Sequence, residues 1–145
     1  MNFSLTEEHL MIQEAARDFA QTELLPGVIE RDNKQEFPDE LVKKMGALGF
    51  MGIMVDPKYG GSGMDATSYV IVMEELSKID ASASVIVSVN NSLVCYGLEA
   101  FGNEAQKQKY LTKLATGEFV GAFCLSEPEA GSDATSQATT AEDKG

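Results

Sequence analysis

Several residue types are scarce in this chain of 145 residues: tryptophan is absent, histidine occurs once and cysteine twice. The two cysteines, Cys95 and Cys124, do not make a disulfide framework or a Cys-x-x-Cys motif. This usage favours a reducing compartment, and we expect a cytoplasmic protein. The single His9 lies in a predicted first helical turn with no clustered partners, so the sequence predicts a surface residue and no metal site.

Basic residues are also scarce, with 11 Lys and Arg against 23 Asp and Glu, for a formal net charge of −12. A chain this acidic repels phosphate backbones and anionic lipid, so nucleic acid and membranes are not expected as partners. Residues 1–10, MNFSLTEEHL, contain neither a basic stretch followed by an apolar one nor an Arg-rich pattern. No secretory or transit peptide is therefore predicted.

Residues 81–98 lack charged side chains over a length that approaches a membrane span. Asn90 and Asn91 lie in the middle of this run, where unpaired amides would cost on the order of several kcal/mol in lipid. The β-branching at 84–89 resembles a strand, but the apolar pattern continues to Phe101, which is too long for one. The sequence therefore predicts a helix buried in a bundle.

Helix signals follow one another through residue 117. Thr6, Asp65 and Asn103 are predicted N-caps, Pro38 suits a helix start, and Gly49 and Gly117 are predicted ends. A short helix is also expected over 28–34.

Residues 118–126 are aromatic and apolar between Gly117 and Pro128, which is typical of a strand, and 136–142 suits a second one. The fold expected is an all-α amino-terminal domain over 1–117, with five or six helices, followed by the first strands of a β domain over 118–145. Two strands do not make a stable sheet, so a fragment is expected.

Residues 123–136 read FCLSEPEAGSDATS and carry the most specific pattern in the chain. This segment resembles the signature of the acyl-CoA dehydrogenase family at every constrained position, namely Cys124, Leu125, Ser126, Glu127, Ala130, Gly131, Ser132, Asp133 and Ser136. Residues 37–53, 59–82 and 102–118 also resemble family segments. The sequence of these segments is most similar to that of short-chain, butyryl-CoA dehydrogenase-like bacterial members. This chain resembles an amino-terminal fragment of such a protein.

The resemblance implies a helical amino-terminal domain, a middle β-barrel-like domain and a carboxyl-terminal four-helix domain, with FAD between the last two. It implies oxidation of a saturated acyl-CoA to the trans-2-enoyl-CoA, with electrons leaving through an electron-transfer flavoprotein, in a homotetramer. The glutamate base of the family falls beyond Gly145. No catalytic residue is therefore expected in this chain, and the chain alone is expected to be inactive.

Individual site residues are also implied by the resemblance. Phe123, Cys124 and Leu125 are expected on the flavin strand, with backbone groups at the isoalloxazine edge and the Ser126 hydroxyl near N5. Gly131 and Ser132 are expected to form a tight turn with amide groups toward the FAD pyrophosphate. The substrate contacts expected are Ser132 for the CoA part and Val94, Cys95 and Leu98 for the acyl part.

Some of these residues, and another glycine-rich segment, allow other interpretations. Glu127 and Asp133 suit a catalytic pair, but capping of the loop is favoured because the family's base lies elsewhere. Residues 59–65, YGGSGMD, lack the Gly-Lys-Ser/Thr ending of a phosphate loop and favour a turn before the Asp65 cap. An acyl-CoA oxidase and a non-catalytic helical interaction module remain alternative functions.

Overall fold

The computed structural model describes residues 4–144, and helices dominate it as far as residue 115. Its α-helices in chain order are α1 Glu7–Phe19, α2 Val28–Lys34, α3 Asp39–Ala47, α4 Ala66–Ser77, α5 Ala81–Ser88, α6 Tyr96–Phe101, α7 Glu104–Gln106 and α8 Thr112–Ala115. Three π-helical segments extend or join these helices: Ala20–Leu24 after α1, Val89–Cys95 between α5 and α6, and Lys107–Leu111 between α7 and α8. Short 3₁₀ turns occupy Phe50–Gly52, Pro57–Tyr59 and Ala134–Ser136.

The predicted helix starts are confirmed by their caps. The Thr6 side chain accepts the His9 amide, and the Asn103 side chain accepts the Gln106 amide, each within a reciprocal capping box. Asp65 caps α4 by accepting the Ser68 amide at 2.8 Å. The short helix α2 is likewise present.

Two apolar clusters form the core. The larger one lies mainly between α1 and α4 and includes Phe19, Phe50 and Leu76. The smaller one packs the glycine-rich connection after α3 against the α5–α6 and α7–α8 helices, and consists of Val55, Tyr59, Cys95, Leu111, Leu114 and Ala115.

Polar contacts also join α1 to α4. Arg17 Nη2 lies 3.0 Å from the Glu75 carboxylate, whose side chain is 3% exposed. This guanidinium is the main reason that the pKa of Glu75 is lowered. His9 Nε2 lies 3.1 Å from Asp65, and the His9 side chain is 14% exposed. The prediction of a surface histidine is therefore corrected, because the ring bridges α1 to the cap of α4.

Among residues 4–144, Ala81–Phe101 is the one helix long and apolar enough to cross a membrane, judged by length and composition alone. Residues 84–89 lie within this helix, so the prediction of a helix instead of a strand is confirmed. Asn90 and Asn91 are 0% and 2% exposed. Their amides form hydrogen bonds of 2.7 to 3.1 Å to backbone groups of other segments, which offsets the cost of burying them.

The strands expected after Gly117 are not formed within the described residues. Residues 118–126 are irregular, and the 136–142 region begins with the turn Ala134–Ser136. The pairing that remains is one isolated bridge between Glu127 and Ala130. A strand is defined by the ladder it makes with a neighbour, and no other segment of residues 4–144 forms a backbone ladder with 118–126.

Candidate functional site

The signature segment forms an exposed loop, residues 123–139, which we call the motif loop. Its tight turn is Glu127–Ala130, where the two residues exchange amide-to-carbonyl hydrogen bonds of 3.0 and 3.1 Å. A tight turn was expected at Gly131 and Ser132. The prediction is wrong in position, because the turn lies directly before these two residues. The loop is irregular on both sides of it.

Glu127 holds the two arms of the motif loop together. Its carboxylate accepts the Ala138 amide at 2.7 Å, the Thr139 amide at 3.1 Å and the Thr139 hydroxyl. The hydroxyl, followed by the Ala138 amide, keeps the pKa of Glu127 below its usual value. A carboxylate engaged in this way is a cap for the loop and a weak base.

Asp133 caps one arm of the motif loop. Its carboxylate accepts the Ser136 hydroxyl at 2.6 Å, and the hydroxyl and amide of Thr135 at 2.5 and 3.1 Å. The Ser136 hydroxyl is the main cause of its lowered pKa. The interpretation of Glu127 and Asp133 as loop caps is confirmed by this geometry. Within residues 4–144, no group of three His, Cys, Asp or Glu side chains is placed to hold a metal ion.

The residues expected to contact the cofactor all lie on the surface of this loop. Exposed side chains, or an exposed backbone in the case of glycine, are found at Phe123, Cys124, Leu125, Ser126, Gly131 and Ser132. The Leu125 carbonyl accepts Gln137 Nε2 at 2.5 Å, which fixes the strand-like arm against the returning one. The structure therefore brings these residues together on one accessible segment of chain.

Gly131 is the position that tests whether this loop suits a cofactor. A side-chain carbon added there would meet no atom within 4 Å, and the backbone is not left-handed. Nothing within residues 4–144 therefore requires glycine at 131. Close approach to the backbone, by a ligand or by protein outside this chain, is a physical reason for a missing side chain, and a pyrophosphate facing bare amides fits it.

The acyl contacts expected on the α5–α6 helix are only partly supported. Cys95 is 0% exposed within the smaller cluster, and burial raises the pKa of its thiol to about 12. Its assignment as a substrate contact is corrected, because no surface of it is available. Val94 and Leu98 are half-buried and pack against the same cluster, so only part of each side chain is accessible.

Sequence reasoning missed the outward side of the same helix. Val85, Leu93 and Tyr96 are 57%, 43% and 60% exposed, and we call these three residues the open face. Exposed apolar side chains along one helix indicate a surface that meets a ligand or another part of a protein. A partial signal for them was available, since all three lie in the run 81–98 that carries no charge.

Comparison with known proteins identifies the family of the chain. The family model described as "Acyl-CoA dehydrogenase, N-terminal domain" matches residues 6–118. The short-chain specific acyl-CoA dehydrogenase of Clostridium acetobutylicum is 46% identical over 141 residues, which cover 97% of this chain and 37% of that protein. The 3-(aryl)acrylate reductase of Clostridium sporogenes is 46% identical over 140 residues, with the same two coverages.

Solved structures share the fold as well. Butyryl-CoA dehydrogenase from Megasphaera elsdenii superposes with a TM-score of 0.90 at 42% identity, covering 96% of this chain and 37% of that one. A chain from work on the electron transferring flavoprotein of Acidaminococcus fermentans gives 0.93 at 47% identity, with coverages of 97% and 37%. Glutaryl-CoA dehydrogenase from Mycobacterium smegmatis in complex with FADH2 gives 0.88 at 34% identity, with coverages of 93% and 35%.

The helical body has the fold of an acyl-CoA dehydrogenase amino-terminal domain over residues 6–118, and the motif loop follows directly after it. The chain belongs to the acyl-CoA dehydrogenase family. It spans 33–37% of the length of the curated relatives that it matches.

Proposed function

We propose that this chain is part of an FAD-dependent enzyme that oxidises short-chain acyl-CoA thioesters to trans-2-enoyl-CoA. The observation that carries the proposal is the motif loop, where Ser126, Gly131 and Ser132 are exposed and no atom of residues 4–144 explains the glycine. Similarity of 46% to a short-chain specific relative supports the substrate class.

The chain's own residues have distinct parts in this proposal. The amides that follow the turn at Glu127–Ala130 bind the pyrophosphate, and Ser132 also meets the CoA part of the substrate. The Ser126 hydroxyl donates a hydrogen bond near the flavin N5, which tunes the cofactor's electronics. FAD supplies the acceptor for the hydride that leaves the β-carbon of the substrate.

The open face lines the acyl chain in this proposal. Val85, Leu93 and Tyr96 offer apolar surface without charge, which suits a short saturated chain. The base that removes the α-proton comes from outside this chain, because Glu127 and Asp133 are held by the motif loop with lowered pKa values. A base with a depressed pKa is poorly matched to an α-proton beside a thioester.

The proposal extends to partners and setting. Electrons leave through an electron-transfer flavoprotein, in keeping with the work on the Acidaminococcus flavoprotein in which a similar chain occurs. The full-length enzyme is a cytoplasmic homotetramer.

One comparison favours a second candidate function. The Clostridium sporogenes relative is named a 3-(aryl)acrylate reductase and is as similar as the short-chain dehydrogenase, with 46% identity to each. Reduction of an activated alkene reverses the same two-electron chemistry, so the motif loop serves both. Reoxidation of the reduced flavin by an arylacrylate, with no response to short-chain acyl-CoA, would favour the reductase.

The test compares Ser126→Ala with the unaltered, FAD-loaded, full-length enzyme. Loss of one hydrogen bond near N5 is expected to raise the activation barrier for flavin reduction by about 1 kcal/mol. The rate at saturating butyryl-CoA should therefore fall several-fold. FAD content should be unchanged, because the pyrophosphate contacts remain. The measurement is rapid mixing without oxygen, followed by flavin absorbance.

Ser132→Ala is the matched variant for this test. Its hydroxyl is assigned to the CoA part, so the butyryl-CoA concentration needed for half-maximal reduction should rise while the saturated rate is kept. A saturated rate unaffected by Ser126→Ala would remove Ser126 from the flavin. An unaltered enzyme whose flavin is not reduced by any acyl-CoA would overturn the proposed function.

A further inference from the structure

Asn90 connects four segments of the chain through one buried side chain. Its Nδ2 donates to the carbonyl oxygens of Met51 at 2.7 Å and Leu114 at 3.1 Å. Its Oδ1 accepts the amide of Gly121 at 2.9 Å. The side chain is 0% exposed, so these bonds are not in competition with water.

Gly121 makes a second contact with the same helix. A side-chain carbon added at Gly121 would lie 2.8 Å from Cβ, Cγ1 and Cγ2 of Val94, one helical turn beyond Asn90. The φ angle of Gly121 is not left-handed, so the close approach is the reason for glycine here. Together the amide and the α-carbon of Gly121 are fixed on the α5–α6 helix, and we call this contact the Gly121 clamp.

The clamp stands where the chain leaves the helical body for the motif loop. Phe123 follows Gly121 by two residues and Ser126 follows it by five. Two backbone amides tie the start of this segment to the helical body: Phe119 N–H donates to the Lys113 carbonyl at 3.0 Å, and Gly121 N–H donates to Asn90. The bond to Asn90 is the nearer of the two to the flavin-facing arm, where the Leu125 carbonyl is bonded within the loop to Gln137. The position of the flavin-facing arm therefore depends on the clamp.

We propose that Asn90 is a positioning residue for the reaction: through Gly121 it sets the distance between the flavin-facing arm and the open face that lines the acyl chain. The inference rests on the proposed function, and it assigns to Asn90 no contact with flavin or substrate. Asn90 lies on the same helix as Val85 and Leu93, so one rigid element carries the acyl surface and holds the start of the flavin segment. Hydride transfer is sensitive to displacements of about 1 Å between the reacting groups.

The neighbouring Asn91 provides a matched control. It is 2% exposed, and its amide binds the Ile53 N–H at 2.8 Å and the carbonyls of Phe50 and Val87 at 2.9 Å each. These partners lie in the connection after α3 and in its own helix. Asn91 therefore has the same chemistry and burial as Asn90, but its bonds do not reach 118–126.

The test measures Asn90→Ala and Asn91→Ala in the FAD-loaded, full-length enzyme. Both variants lose buried hydrogen bonds and should lower the melting temperature. Asn90→Ala should reduce the rate of flavin reduction at saturating butyryl-CoA by roughly tenfold or more. Asn91→Ala should keep that rate within about twofold.

A further variant avoids removing a buried amide. Gly121→Ala should slow flavin reduction in the same way, since the added methyl group meets Val94. The amide of Asn90 is intact in this variant, so a loss of rate there comes from the displaced Gly121. Hydrogen exchange of the Gly121 amide in the 145-residue chain gives a readout without flavin, and it should accelerate in Asn90→Ala and stay slow in Asn91→Ala.

The outcomes separate this inference from the proposed function. Equal rate losses in Asn90→Ala and Asn91→Ala, or an unaltered rate in Gly121→Ala, would overturn the positioning role. An unaltered enzyme that binds FAD but is not reduced by acyl-CoA would overturn the proposed function. Slow exchange at Gly121 that persists in Asn90→Ala would show that the clamp itself does not hold the segment.

Discussion

Among the glycines of residues 4–144, Gly131 and Gly97 are the two at which an added side-chain carbon meets no atom within 4 Å. They differ in setting, since Gly97 lies inside α6 and Gly131 lies in the motif loop. A glycine inside a helix costs about 0.5–1 kcal/mol relative to alanine. Comparison of the two positions therefore distinguishes a glycine kept for a ligand from one that only affects the fold.

Gly131→Ala is expected to leave the free energy of unfolding unchanged or slightly higher, because the backbone accepts alanine there. It should weaken FAD binding about tenfold, since the methyl group fills space assigned to the pyrophosphate. FAD affinity is measured by equilibrium titration of the full-length apoenzyme. Gly97→Ala is the control, and should raise stability while FAD affinity is kept; equal FAD affinity in both variants would remove Gly131 from the cofactor site.

At the scale of elements, the sequence predicted what depends on local structure. The caps at Thr6, Asp65 and Asn103 were predictable because a cap and the amide it accepts lie three residues apart. The strand predicted over 118–126 is not formed, because strand pairing depends on a distant partner that the local sequence does not reveal. The signature at 123–136 was likewise recognisable, yet its tight turn fell at 127–130 instead of at Gly131.

The contacts that the sequence could not reveal are the long-range ones. His9 and Asp65 are separated by 56 positions, and Asn90 reaches Gly121 over 31. Neither side chain has a local signal for its partner. The π-helical segment Val89–Cys95 adds to the difficulty, because a π turn has an extra residue and rotates the following side chains away from a 3.6-residue pattern.

The motif loop should loosen in acid. Glu127 and Asp133 have lowered pKa values, through the hydroxyl groups of Thr139 and Ser136 in the first place. A lowered folded-state pKa means that the stabilisation is complete above the usual carboxyl pKa and is lost as pH falls through the lowered value. Protection of the Ala138 and Thr139 amides against hydrogen exchange, corrected for intrinsic rates, should therefore fall as pH is lowered through that range.

Glu127→Gln is the control for this titration. The Ala138 and Thr139 amides should lose the pH dependence of their protection, because the variant has no titrating group there. The Thr135 amide, which is bonded to Asp133, should keep it. Protection that does not change with pH in the unaltered chain would contradict the assignment of these carboxylates as loop caps.

For the molecule as a whole, one helical body carries or holds both surfaces that we assign to the proposed reaction. The α5–α6 helix presents the open face and holds Gly121, and the motif loop presents Ser126 and Gly131. The α-proton acceptor is expected elsewhere, since the two acids of the motif loop are engaged in hydrogen bonds. The 145-residue chain by itself should therefore show no turnover of butyryl-CoA when FAD and an artificial electron acceptor are added.

The measurement that tests the account most directly is the flavin spectrum of the FAD-loaded, full-length enzyme when butyryl-CoA is added without oxygen. The absorbance of oxidised flavin should be lost on mixing, with one enoyl-CoA formed per flavin. Flavin that stays oxidised with saturating butyryl-CoA and with longer acyl-CoA thioesters would contradict it.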